Sequence, residues 1–290
     1  MSNEFKDTRF SSLITHHFLP SSLITHHSLL PPPMRIKLIL AATLPNSFLP
    51  INNNHAIASL IYHTIGSSSQ EFAKFLHEEG YAGDNRNFKM FTFSRLRPEH
   101  AQLVRDQYRL LKPVVELQIS SPITEFVEHF VTGLFQAETF HLTGTQFTLQ
   151  SAETLPTPEI TERMQFRCLS PITEAVRDEQ GRIRYLDINE DWSEIIGRNL
   201  LRKFQILHGR EPEDQRFKLE WDQTYLADLA ARGKRASALL DIRGIKVRGW
   251  LAPFMVEGSK ELIELGYETG YGSRNSMGFG MAEKGESAES

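Results

Sequence analysis

The chain has 290 residues, 40% hydrophobic and 23% charged, with a formal net charge of -4 and a pI near 6.3. That length admits one large domain or two modest ones, and the mildly acidic balance means that any nucleic-acid contact must rest on local basic patches. The single cysteine, Cys168, excludes an internal disulfide or a multi-cysteine zinc site. No apolar stretch is long enough to cross a membrane as a helix, so a soluble, cytoplasmic chain is expected.

Residues 1–33 carry a direct repeat, Ser11-Ser-Leu-Ile-Thr-His-His17 and Ser21-Ser-Leu-Ile-Thr-His-His27, followed by Pro31-Pro-Pro33. Two ten-residue units cannot bury a core as a solenoid does. His16, His17, His26 and His27 are therefore read as part of a duplicated linker-like tract rather than as metal ligands. The expectation is a natural start at Met34, with residues 1–33 disordered or an over-extended reading of the gene.

From Met34 the pattern becomes that of a folded chain. Arg35-Ile-Lys-Leu-Ile-Leu40 alternates as a half-buried strand does. His55–Ile65 places Ala56, Leu60, Ile61 and Ile65 at helical spacing, and a second helix runs from about Gln70 to Glu79. Phe88–Ser94 is aromatic and strand-like, and Val114–Ile119 is another strand. Thr124–Phe135 is helical, with Phe126, Val127, Phe130, Val131 and Leu134 on one face, and Thr145–Leu149 closes the unit.

A second unit opens with the strand Gln165–Leu169, in which Cys168 reads as a small core residue. The helix Trp192–Leu207 follows, with Trp192, Ile195, Ile196, Leu200 and Phe204 as its buried stripe. Strands are expected at Phe217–Trp221, Ala236–Arg243 and Lys246–Met255, then a helix at 259–265 and a strand at 277–282. Each unit reads as β-α-β-β-α-β, so the fold class is α+β, a tandem of ferredoxin-like (βαββαβ) domains. The expected boundaries are 34–157 and 158–284, with 285–290 as an acidic tail.

Near the end, Gly266, Gly270, Gly272, Gly278 and Gly280 fall within fifteen residues. Such a run brings backbone N–H groups close to an anion, most simply a phosphate. A dinucleotide loop would follow a strand and open a helix, whereas here the order is helix, loop, strand. The absence of Gly-Lys-Ser/Thr excludes a P-loop. An ordinary helix C-cap accounts for Gly266 and Gly270 but not for Gly272, Gly278 and Gly280.

Two ferredoxin-like halves ending in Gly270-Tyr-Gly-Ser-Arg-Asn-Ser-Met-Gly-Phe-Gly280 resemble the CRISPR-associated repeat-RNA processing endoribonucleases, the sixth CRISPR-associated protein family of the repeat-associated mysterious protein superfamily. A second anchor is Leu60-Ile-Tyr62-His-Thr-Ile65, then Phe75-Leu-His77, then Phe88-Lys89-Met-Phe-Thr-Phe-Ser94. The resemblance implies metal-independent cleavage of CRISPR precursor RNA within its repeats by the ribose 2′-hydroxyl, leaving a 2′,3′-cyclic phosphate and a 5′-hydroxyl, with no cofactor or metal. It implies a catalytic set of Tyr62, His77 and Lys89. Tyr81–Asn87 departs from the compact pattern by lengthening the connection between His77 and Lys89. Histidine suits proton transfer near neutral pH, lysine suits phosphorane stabilisation, and tyrosine positions the nucleophile or serves as base if a cation lowers its pKa. Without the resemblance, each would read as an ordinary surface or core-rim residue.

For RNA binding, the expected residues are Gly270, Gly272, Arg274, Asn275, Ser276, Gly278 and Gly280 in the loop, and the basic stretch of Arg232, Lys234, Arg235, Arg243, Lys246 and Arg248. Trp250 and Tyr271 are candidate stacking platforms. Arg182, Arg184, Arg198, Arg202 and Lys203 would extend the patch. The expected partner is CRISPR repeat RNA, with other interference-complex subunits and a homodimer as further candidates and no membrane. A non-catalytic RNA-binding subunit of an interference complex is the rival, and a domain binding a small anionic metabolite is the third reading.

Overall fold

The computed structural model describes residues 34–83 and 86–285. The repeat in 1–33 and the tail from 286 lie outside the described residues.

The first half contains β1 (Met34–Ala42), α1 (Asn54–Ser68), α2 (Gln70–Glu78), β2 (Thr92–Phe93), β3 (Val114–Ser121), α3 (Thr124–Gln136) and β4 (Thr145–Leu155). The strands run in the antiparallel order β4-β1-β3-β2, with Phe140–Leu142 outside β4. That is the ferredoxin-like order, in which the first and third strands are central. The alternation in β1 sends Ile36, Leu38 and Leu40 toward α1 and α3, where they meet Ile57, Ile61, Ile65, Phe126 and Phe130.

The second half repeats the plan with β5 (Arg163–Cys168), α4 (Ser193–His208), β6 (Phe217–Trp221), β7 (Phe254–Gly258), α5 (Lys260–Thr269) and β8 (Ala282–Lys284), in the order β6-β7-β5-β8. Its core gathers Phe166, Trp192, Leu200, Phe204, Trp221 and Phe254. The tandem ferredoxin-like fold is thus present in both halves. Arg35, 3% exposed, joins them. Its guanidinium donates to the carbonyls of Ala282 and Tyr267 at 2.8 Å each and lies 3.8 Å over the Tyr267 ring.

Several elements differ from the sequence expectation. Phe88–Ser94 is not one strand: Met90 takes φ 53°, which breaks the extended run. Asn87–Phe88 instead pairs with Tyr81–Ala82, and only Thr92–Phe93 joins the main sheet. The stretch 246–255 divides similarly. Ile245–Trp250 pairs with Ser237–Ile242 in a separate hairpin, and Phe254–Gly258 enters the sheet. The expected strand at 277–282 is a 3-10 turn at Asn275–Met277, with the strand displaced to Ala282–Lys284. The helix expected at 259–265 continues to Thr269, so Gly266 lies inside it and Gly270 caps it.

Candidate active site and RNA-binding surface

Tyr62 projects from α1, nearly two turns before the helix ends. Ser69 separates α1 from α2, and its hydroxyl caps α2 by accepting from the Phe72 N–H. This short break folds α2 back so that His77, exposed in its last turn, meets Tyr62 edge to face, with ring centroids 5.5 Å apart.

The longer connection after His77 is absorbed by a hairpin. Tyr81 sits opposite Phe88 and Ala82 opposite Asn87, and this pairing returns Lys89 to the helix end. Lys89 Nζ donates to the His77 carbonyl at 3.0 Å, satisfying one of the carbonyls that a helix leaves free at its C-terminus. Gly80 permits this approach, because a Cβ there would lie 2.8 Å from Lys89 Cδ. Tyr62, His77 and Lys89 therefore come together in space.

The fourth member arrives from the other half. The Ser276 side chain comes beside the Tyr62 hydroxyl, where its influence favours the phenolate. Burial nevertheless pushes the phenol up to about 12, so Tyr62 is a hydrogen-bonding hydroxyl at neutral pH and the tyrosine-as-base alternative is not favoured. Burial lowers the Lys89 ammonium from its ordinary value, opposed by the charge of Glu79.

Ser276 is held there by a clasp between the halves. Asn54, in the first turn of α1, donates to the carbonyls of Met277 (2.9 Å) and Gly278 (3.0 Å), and Thr92 Oγ1 donates to the Phe279 carbonyl at 3.0 Å. The glycines make this fit possible. Gly270, Gly272, Gly278 and Gly280 all have φ between 77° and 87°. A Cβ on Gly278 would lie 2.4 Å from the Phe93 ring, and one on Gly280 would lie 2.1 Å from the Tyr271 carbonyl. All four glycines are buried. The N–H groups of Gly270, Gly278 and Gly280 donate to Gly266, Asn275 and Pro171. Close packing accounts for these glycines, Gly270 and Gly278 against the first half and Gly272 and Gly280 within the second.

Asn275 is likewise committed inside the loop. Its amide donates to the Phe279 carbonyl at 3.0 Å and accepts from Lys203 at 2.9 Å. Lys203 is 1% exposed and also donates to Thr269 Oγ1 and the Gly270 carbonyl. It braces the loop from behind and does not extend the basic surface. Burial draws its ammonium down to about 7, opposed by Glu174, while its three acceptors favour the charged form. Trp250 and Tyr271 are core residues rather than stacking platforms. Trp250 is 8% exposed with Nε1 donating to Leu186, and Tyr271 is fully buried with its hydroxyl on Ile263. Arg182, Arg184 and Arg198 pair with Asp178, Glu190 and Glu194, and only Arg202 of that group is exposed without an ion pair among the described residues.

The hairpin Ser237–Trp250 packs Leu240, Ile242 and Val247 on Phe279 of the glycine loop. Arg243 and Gly244 form its turn, both with positive φ, as a two-residue hairpin loop requires. The opposite face presents Arg248 and Lys246, the latter paired with Asp241 at 2.8 Å. Asn52, just before α1, donates to the Asp241 carbonyl, tying this basic hairpin to the segment that carries Tyr62. Arg232, Lys234 and Arg235 are exposed where the chain enters the hairpin. Sequence reasoning missed Asn54 and Thr92, because nothing in their local pattern distinguishes an inter-half hydrogen bond from an ordinary helix start or strand. Among the described residues no cluster of three or more metal-ligating side chains occurs, and no helix is long and apolar enough to cross a membrane.

Two family models match the chain. Residues 48–153 match the model described as CRISPR-associated protein Cas6, N-terminal, and residues 155–284 the model described as CRISPR associated protein Cas6, C-terminal. A Methanocaldococcus jannaschii protein named CRISPR-associated endoribonuclease Cas6 1 is 32% identical over 252 residues, 86% of this chain and 91% of that protein. A Pyrococcus furiosus protein named CRISPR-associated endoribonuclease Cas6 is 28% identical over 236 residues, covering 81% and 83%. A solved structure of a Cas6-related gene product from Pyrococcus furiosus superposes with a TM-score of 0.75 at 25% identity, covering 88% of this chain and 99% of that one.

Proposed function

The chain belongs to the Cas6 family of CRISPR-associated endoribonucleases, and from that membership we propose that it cuts CRISPR precursor RNA within the repeat to release guide RNAs, using Tyr62, His77 and Lys89. It is an endoribonuclease, and its substrate is repeat RNA. The observation that carries the residue assignment is the convergence of Tyr62, His77, Lys89 and Ser276 from α1, α2, the strand hairpin and the glycine loop.

In the proposed reaction the ribose 2′-oxygen forms a bond to the adjacent phosphorus while the bond from phosphorus to the 5′-oxygen breaks. One proton leaves the 2′-hydroxyl and one reaches the departing 5′-oxygen, so the products are a 2′,3′-cyclic phosphate and a 5′-hydroxyl. His77 is exposed, with its ring free to carry one of these transfers as general acid or base. Tyr62 keeps its proton and orients the reacting ribose or phosphate by hydrogen bonding. Lys89 stabilises the charge that accumulates on the phosphorane. None of these steps calls on a metal ion. The basic face of the Ser237–Trp250 hairpin and Arg232, Lys234 and Arg235 hold the RNA backbone, and Arg274 and Ser276 contact it beside the cut.

The test is cleavage of labelled cognate repeat RNA in EDTA with the product ends identified. One cut with a 5′-hydroxyl and a cyclic phosphate is the expected result. Tight binding with no cut would instead mark a non-catalytic RNA-binding subunit, and a cut that disappears in EDTA would overturn the metal-independent mechanism.

A further inference from the structure

Behind Lys89, between the two halves, lies a cavity of about 250 Å³ that the catalytic cluster does not fill. It has two kinds of wall. Phe88, Met90 and Phe91 are apolar, whereas Arg86, Lys89, Lys203 and Arg274 are cationic, and no carboxylate among the described residues lines it. Glu174, the acid electrostatically coupled to Arg86 and Lys203, is not among the lining residues. Arg274 is exposed and has no ion-pair partner among the described residues. The volume is enough for one base.

Asn199 supplies an independent sign of a ligand. It stands four residues before Lys203 on α4, hence on the same face of the helix, and it lines the cavity. It is 6% exposed, and its buried amide oxygen has no hydrogen-bond partner. Buried polar groups are ordinarily paired. The Lys203 ammonium cannot serve, since its three donors go to Thr269, Gly270 and Asn275. A bare phosphate cannot satisfy the oxygen either, because phosphate oxygens only accept. The oxygen calls for a hydrogen-bond donor, and the apolar wall of Phe88, Met90 and Phe91 suits a donor carried on a flat apolar group.

We propose that this cavity is a subsite for a single unpaired nucleobase of the RNA, taken from beside the cleaved linkage, with the Asn199 amide reading its edge and Arg86 and Arg274 holding the phosphates that flank it. The amide offers an acceptor next to a donor, which matches a base edge with a donor next to an acceptor, as in adenine. The subsite rests on the endoribonuclease reading for the identity of its ligand, but it is tested by binding rather than by cleavage.

The experiment is an abasic scan. Each nucleotide of the repeat RNA is replaced in turn by an abasic residue, and affinity is measured for the full-length wild type, Asn199→Ala and the near-isosteric Asn199→Asp. Melting temperatures verify that each variant is folded. One position is expected to weaken wild-type binding about tenfold when its base is removed, equivalent to about 1.4 kcal/mol. The same removal should cost both variants less than about twofold, as a coupled pair requires. A scan with no sensitive position adjoining the cut, or a penalty that both variants retain in full, overturns the subsite. An intact, Asn199-dependent penalty without cleavage would refute the catalytic reading alone. Cleavage with a flat scan would refute the subsite alone.

Discussion

Replacing Gly280 by alanine separates the two explanations of the glycine-rich loop. Gly280 has φ 83°, a conformation that costs an L-residue about 1–2 kcal/mol. The added Cβ would lie 2.1 Å from the Tyr271 carbonyl oxygen and 2.9 Å from the Tyr271 nitrogen. Those atoms are backbone and cannot rotate away, so a further 1–3 kcal/mol of overpacking is expected, at about the usual range. The Gly280 N–H to Pro171 and Tyr271 N–H to Gly280 bonds are strained as well, for a total of roughly 3–5 kcal/mol. At about 2–4 °C per kcal/mol, the RNA-free protein should melt roughly 6–20 °C lower. The matched comparison is Gly181→Ala. Gly181 has φ 76° but nothing within 4 Å of the added carbon, so only the backbone term of about 1–2 kcal/mol applies. Thermal or urea unfolding without RNA decides between the explanations. If Gly280→Ala unfolds at the same point as Gly181→Ala but binds RNA much more weakly, the glycines serve phosphate approach and the packing argument is refuted.

Other expectations follow from the same geometry. His77→Ala should lower the cleavage rate by roughly 10²–10⁴-fold with little change in RNA affinity, because the side chain is exposed and meets Tyr62 edge to face; single-turnover cleavage beside a binding titration measures both, and normal cutting would remove His77 from the site. Tyr62→Phe should slow cleavage while leaving the ring contacts with His77 and Phe91 intact, and an unchanged rate would show that the hydroxyl plays no part. Glu268 is pushed up to about 8, first by burial and then by Glu264, with Arg35 opposing. The folded state therefore holds that proton more tightly than the unfolded chain, so stability is greatest below about pH 4.3 and falls as pH rises toward 8. Glu268→Gln should remove that contribution, on the order of 5 kcal/mol at 1.36 kcal/mol per decade, and an identical pH slope in denaturant melts of both proteins would refute it. Replacing Arg232, Lys234 and Arg235 together by alanine should reduce the slope of log affinity against log salt by about 2, at roughly 0.7 per phosphate contact on single-stranded RNA. An unchanged slope would place the RNA elsewhere.

What the sequence determined was chiefly periodic or local. Alternation in β1 and the apolar faces of α1, α3 and α4 reported which side of each element is buried, because the pleat and the helical turn repeat at fixed spacing. Both ferredoxin-like units, the helices bearing Tyr62 and His77, and the unusual glycine content were legible in that way. Tertiary structure decided what the local pattern could not encode. Met90 and the paired Tyr81 and Phe88 fold the long connection so that Lys89 returns to His77. Asn54, Thr92 and Lys203 draw partners from residues 66–224 positions away, and no window of sequence displays that distance. The same long-range closure turned Trp250 and Tyr271, both plausible RNA contacts by residue type, into interior parts of the scaffold. A side chain's chemistry is fixed by its type, but whether it faces RNA or the core is fixed by which distant backbone closes over it.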